Sequence, residues 1–223
     1  DVQTGNITVR NNLTLACGSE PQHSPGANLP SPTFNPGFIK QYRVWPIPLS
    51  APNAGPSQLI ADPSDADASP MGWHDDGTTT YTITRGNNTH AFADPDSNYL
   101  SAGDEPTGGA SLIFDYPYNP NGTIAQNKNA GVVNLFYMNN VMHDFAYHYG
   151  FTEQAGNFQT KNFSGKGKGN DAVTALAQFG ANGSRLRNNA DFLPPVDGTN
   201  GRMRMFVWNQ TGTKLLKVIA PAN

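Results

Sequence analysis

Cysteine is nearly missing: Cys17 is the only one in 223 residues, so no disulfide can close within the chain. It reads as a small, partly buried side chain, the alternative being a bond to another chain or segment. Charge is scarce as well. Asp, Glu, Lys and Arg make up 14%, against about 25% in an average soluble protein. The formal net charge is −3, and the densest basic stretches, Lys166-Gly167-Lys168 and Arg202-Met203-Arg204, are too sparse for a nucleic-acid-binding stripe. No run nears the roughly eighteen apolar residues of a membrane-spanning helix. The opening Asp1-Val2-Gln3-Thr4 lacks the basic-then-apolar plan of a signal peptide, so a leader has been removed or the chain is an internal piece of a longer one. No internal repeat is visible.

Asn, Gly, Pro, Ser and Thr fill the space that charge leaves, which favours a loop-rich extracellular module with short strands over a helical bundle. A hydrophobic fraction of 37% with 10% aromatics still suffices for a core. Seven Asn-x-Ser/Thr sequons, at Asn6, Asn12, Asn87, Asn121, Asn162, Asn182 and Asn209, are glycosylation candidates and point to an exposed, secreted surface.

Residues 1–16 alternate weakly, through Val2, Ile7, Val9, Leu13 and Leu15, as a hairpin or strand pair would. From Cys17 to Gly37, prolines replace aliphatic residues, which marks a linker and the best domain boundary. Strands are predicted at Gln41–Trp45, Tyr81–Thr84, Ala110–Phe114, about Ala172–Phe179, and Met203–Trp208, with residues 50–80 as loop. The clearest element is a helix over about 132–149. Leu135, Met138, Met142, Phe145 and Tyr149 form one apolar stripe, while Asn140, Asp144 and His148 share another face. That pattern predicts burial of Leu135, Met142 and Phe145 and exposure of His148. Gly150 stands where a left-handed residue ends a helix. The whole reads as α+β, mostly strand and loop around one long helix.

Chemistry is harder to find. His143 and His148 lie five apart, about 140° around a helix, whereas a helical zinc pair needs a spacing of four with Glu after the first His. No His-Glu pair occurs anywhere in the chain. There is no Gly-x-Ser-x-Gly elbow, no Walker loop and no Gly-x-Gly-x-x-Gly after a strand. Asp62, Asp65 and Asp67, or Asp75-Asp76, carry the charge for calcium, yet solvated loop acids explain them more simply.

At the helix the chain resembles a known family. Asn139-Asn140-Val141-Met142-His143-Asp144, followed by Tyr147 through Gln159, is similar to the signature segment of fungalysin-type metallopeptidases. Gly169–Val173, Asn188–Phe192, and Pro195 through Asp197-Gly198 to Trp208 match further on. Upstream, Tyr42–Pro46, Ala68–Asp75 and Thr84–Asn88 resemble the start of the mature enzyme. The resemblance covers about residues 40–208, and the wording of Ser69–Trp73 and Thr84–Asn88 leans toward bacterial members.

The resemblance implies a thermolysin-like N-terminal subdomain at 40–208. It also implies a propeptide-end segment with its cleavage region at 1–39, and the start of an inserted domain or linker at 209–223. It implies a secreted zinc endopeptidase, made as a zymogen, acting on proteins or peptides. In such enzymes zinc polarises the scissile carbonyl and a Glu takes the proton of the attacking water. The ligands of that zinc are not in this chain, so the remaining catalytic segment of the precursor becomes the expected partner. Calcium stays open. Asn189 and Ala190 match residues that hydrogen-bond the substrate backbone, with Phe192 as an aromatic wall; the competing reading makes Asn188-Asn189 only a turn. A glycosylated, non-catalytic structural or assembly module is the alternative function.

Overall fold

Gln41–Val44 alternates Tyr42 and Val44 inward with Gln41 and Arg43 outward, the period of a half-buried strand, and it forms β1. In a computed structural model that describes residues 39–49, 52, 54–183 and 187–208, six further strands and one long helix follow. They are β2 (Gln58–Ala61), β3 (Thr89–Ala93), β4 (Ile113–Phe114), α1 (Lys128–His148), β5 (Val173–Phe179), β6 (Ala190–Leu193) and β7 (Arg202–Phe206). All belong to the unit Phe34–Asn223. Cys17 and the sequons at Asn6, Asn12 and Asn209 lie outside the described residues, as do the expected propeptide-end segment and the residues after 208.

β1 pairs antiparallel with β2 and parallel with β4. The second sheet runs β3-β5-β7-β6, parallel except for the antiparallel β6–β7 pair. One face of it presents Ala91, Ala93, Val173, Ala175 and Ala177 to the cluster that holds Val132, Val133 and Phe136 of α1. These small side chains let the helix settle close to the sheet. Phe92, Leu176, Phe179 and Phe206 form a separate cluster, as the period-two alternation of strands requires. The architecture is therefore α+β with one α-helix among the described residues, as the sequence indicates. No helix among the described residues is long and apolar enough to cross a membrane.

The local expectations meet mixed outcomes. Tyr81–Thr84, rich in β-branched and aromatic residues, makes only one isolated bridge, Ile83 to Thr107, and no ladder. The strand lies beyond the turn, at Thr89–Ala93, where β5 supplies partners. β2 falls in a stretch expected to be loop; Gln58-Leu59-Ile60-Ala61 is a mostly exposed edge strand, too short and too uniformly apolar to show a period of two.

The helix stripe is misassigned. Leu135 is buried and His148 is exposed, but Met142 is 50% and Phe145 is 55% exposed. The inward face is Val133, Phe136, Asn140 and Asp144. Periodicity finds a helix but cannot say which of two adjacent stripes turns inward when the inner one ends in polar residues. Gly150 adopts φ +99° just past the helix, as expected.

Gly86 is required for another reason. A Cβ there would sit 1.5 Å from the Trp73 carbonyl oxygen. Gly86→Ala is expected to lower stability by roughly 1–3 kcal/mol, the usual overpacking cost, measured by urea denaturation.

Candidate functional site

Separate stretches of the chain converge on one buried polar network at the C-terminal half of α1. The Asp144 carboxylate accepts from the Ser69 hydroxyl (2.6 Å), the Trp73 indole N–H (2.7 Å), the backbone N–H of Asp65 (3.1 Å) and His143 Nδ1 (2.9 Å). Four donors on one buried carboxylate explain why the helix turns this residue inward: burial without partners would be costly. Asn88 Nδ2 donates to Ser69 Oγ (2.9 Å) and Asn140 Oδ1 (3.1 Å). Gln159 Nε2 donates to Asn88 Oδ1 at 3.3 Å, and Asn157 Nδ2 donates to Gln159 Oε1 at 3.0 Å and to His143 Nε2 at 3.2 Å.

From there the network reaches β7. Asp171 accepts from the Gln159 N–H (2.9 Å) and the Gly198 N–H (3.0 Å), clamping the loop that leads into Arg202–Phe206. Burial raises the Asp171 carboxyl above its ordinary value despite those two hydrogen bonds. β7 in turn carries β6, in the register Ala190 to Met205 and Phe192 to Met203. The polar network thus fixes the position of the outermost strand of the sheet.

β6 is the last strand in the sheet order, with Asn189 and Ala190 exposed. Asn188 takes φ +57°, the left-handed bend that Asn tolerates, immediately before the strand. So Asn188 turns and Asn189 leads into β6. The Ala190 N–H donates to Asn189 Oδ1 at 2.9 Å. Phe192 is 37% exposed and meets Phe158 edge-on at 5.5 Å. A bidentate pair, Arg204 Nε and Nη2 on Asp191 (2.8 and 2.7 Å), pins the strand to β7 and holds the Asp191 carboxyl below its ordinary value.

His143 and His148 do not come together as a pair. The His143 side chain is 7% exposed and has both ring nitrogens engaged, Nδ1 by Asp144 and Nε2 by Asn157. His148 leaves the helix elsewhere and pairs with Asp65 at 3.0 Å, which raises its pKa. Among the described residues, Asp65, Asp67 and His148 bring three potential ligand atoms within 4.8 Å of one another. That set is mostly exposed, and two of its members, Asp65 and His148, already pair with each other. It does not fit a catalytic zinc.

Of the sequons described, Asn121 and Asn182 are exposed and Asn162 is half-buried. Asn87 is corrected. It is 2% exposed, and its amide bonds the Lys161 backbone on both sides, donating at 3.0 Å and accepting at 2.8 Å, which leaves no room for a glycan.

Against known proteins, the fungalysin metallopeptidase family (M36) matches residues 41–216. The chain belongs to that family. Extracellular metalloproteinase 2 of Phaeosphaeria nodorum is 44% identical over 175 residues, 76% of this chain and 26% of the relative. Extracellular metalloproteinase 5 of Trichophyton tonsurans is 41% identical over 169 residues, 76% and 27%. Extracellular metalloproteinase mep of Aspergillus terreus is 42% identical over 171 residues, 76% and 26%. The chain spans about a quarter of the length of these relatives. All three are fungal proteins, so the leaning toward bacterial members finds no support.

Ser69, Trp73, Asn88, Asn140, His143, Asp144, Asn157, Gln159 and Asp171 all stand in the stretches that resemble the family, but nothing in the sequence shows that they meet. The available signal was the wording itself. Polar residues in a helix, four apart beside an apolar stripe, read as solvent-facing until buried donors are seen to meet them.

Proposed function

We propose that this chain is the N-terminal, substrate-edge portion of a secreted zinc-dependent endopeptidase acting on proteins or peptides. The zinc ligands and the general base come from another part of the precursor. One observation carries this reading: in a member of the fungalysin family, Asn189 and Ala190 stand exposed at the outermost strand of the sheet. An extended peptide can pair only with a strand edge, and the small side chain of Ala190 lets its backbone approach. The Asn189 amide both donates and accepts, so it can leave the Ala190 N–H and hold a peptide unit of the substrate. Phe192 forms an aromatic wall beside it.

Residues 40–208 form this subdomain, 1–39 a propeptide end and cleavage region of a zymogen, and 209–223 the start of an insertion or linker. The family match runs on to residue 216. No catalytic step through zinc is assigned to residues of this chain. The exposed sequons Asn121 and Asn182 favour a second reading, a glycosylated structural module without catalysis.

In the enzyme reconstituted with the rest of the precursor, Asn189→Ala is expected to lower kcat/KM by about 1–3 kcal/mol, roughly 5- to 150-fold, with zinc content unchanged. Normal cleavage by that variant would remove Asn189 from the site.

A further inference from the structure

We propose that the face of the second sheet turned away from α1 docks an extended acidic polypeptide segment, held by the guanidinium groups of Arg85 and Arg202. This rests on the reading above only in taking that segment to belong to the protein substrate.

The pairing register lays one row of side chains across that face. Arg85 bridges to His90, His90 lies opposite Thr174, Thr174 opposite Arg202, and Arg202 opposite Leu193 of β6. Residues directly opposite each other on neighbouring strands share a face. The face is the outer one, because Phe92 and Leu176, two residues beyond His90 and Thr174, belong to the cluster away from α1. Arg85 and Arg202 are three strand spacings apart, about 14 Å between their backbones.

The two arginines have matching surroundings. Each guanidinium lies over a tyrosine ring at 4.6 Å, Arg85 over Tyr81 and Arg202 over Tyr99. Stacking covers the flat face of a guanidinium and leaves its in-plane N–H donors for an acceptor. The chain supplies none. Arg204, two residues along the same strand, forks onto Asp191 and donates to the Tyr99 hydroxyl. Arg85 and Arg202 stand in no ion pair among the described residues. The Arg202 Nε is buried without a hydrogen-bond partner. Arg85 is exposed and Arg202 half-buried, so solvent reaches both side chains. The carboxylate beside the row, Glu105, is taken by His90 at 2.9 Å and is 8% exposed, so it serves neither arginine.

The occupant follows from charge and spacing. A guanidinium fork with its flat face covered takes a carboxylate edge-on. Two forks about 14 Å apart match carboxylates at positions i and i+4 of an extended chain, which rises about 3.4 Å per residue and returns to the same side at every second one. Between the forks, the Thr174 hydroxyl can donate to or accept from the backbone of that chain. Two cations this far apart are too few to track a nucleic-acid backbone. The row ends at Leu193, the last residue of β6. A substrate that leaves the outermost strand at that end reaches the row by turning over the sheet edge.

The test measures fluorescence anisotropy of a labelled Glu-Thr-Val-Thr-Glu peptide with the full chain at low salt. Binding is expected, and it should be lost when both glutamates become glutamine. Arg85→Gln and Arg202→Gln should each weaken binding roughly 10-fold, the usual scale for one charged hydrogen-bonded pair, and the double variant should abolish it. Arg202→Lys keeps the charge without the fork and should bind between Arg202→Gln and wild type, with the wild-type melting profile. Arg43→Gln, at an arginine already paired with Asp115, should bind as wild type. In the reconstituted enzyme, the double variant should raise KM for a substrate carrying the acidic stretch and leave kcat unchanged. No binding by the wild-type chain would overturn the proposal, as would equal binding of the glutamine peptide or full binding by the double variant. Binding of a sulfated polysaccharide in place of the peptide would also overturn it. Asn189→Ala should bind the peptide normally. If the peptide does not bind while Asn189→Ala lowers cleavage, only the row is wrong. If the peptide binds as stated and Asn189→Ala cleaves normally, only the substrate edge is wrong.

Discussion

Replacing Asp144 with alanine is expected to cost about 3–5 kcal/mol of folding stability. The cause is what remains behind. Ser69, the Trp73 indole, the Asp65 N–H and His143 would all face a methyl group inside a buried site. Asp144→Asn keeps one acceptor but turns an NH₂ toward donors, so an intermediate loss of about 1–3 kcal/mol is expected. Phe145→Ala, one residue along and 55% exposed, should cost less than about 1 kcal/mol in the free chain. Urea denaturation of the three variants gives the order. Equal losses for Asp144→Ala and Phe145→Ala would contradict the assigned inward face.

Acid should destabilise the chain well before its carboxylates protonate, because of His74. Its ring is buried and stacked on Phe136 at 4.8 Å and Phe114 at 5.0 Å. Nδ1 donates to the Arg85 carbonyl at 3.1 Å, and Nε2 has no partner. Burial, helped by the positive charge of Lys40, lowers its pKa from 6.5 to about 3. Between those values the unfolded chain takes up a proton that the folded chain refuses, so stability is complete above about pH 6.5 and falls as pH drops toward 3. The loss reaches about 2 kcal/mol by pH 5. His74→Phe should show a flatter profile between pH 7 and 5, whatever its absolute stability. Parallel profiles for variant and wild type would contradict the buried, neutral state of His74.

The strands with alternating or densely apolar sequence were legible before the structure, as β1, β5 and β7 show. So was the long helix, through a periodicity that survives its polar residues. The helix orientation was not legible. Met142 and Phe145 look like core because they are large and apolar, yet they stand outside because Asp144 has donors waiting on the other side. Those donors come from Ser69 and Trp73, some 70 residues away in sequence, and single-sequence periodicity carries no such information. The outermost strand was placed by family wording at Asn188–Phe192 and by no local signal, since Ala190–Leu193 is short and mostly exposed. The clamp from Asp171 to Gly198 that positions it is a tertiary feature throughout.

The most direct test of the central claim is elemental analysis and casein hydrolysis on this chain alone, purified and then mixed with the remainder of the precursor. The account predicts no stoichiometric zinc and no cleavage by the chain by itself, because His143 is occupied on both nitrogens and no His-Glu pair exists in the sequence. It predicts both zinc and cleavage once the remainder is supplied. One tightly bound zinc per isolated chain, with hydrolysis of casein, would contradict it.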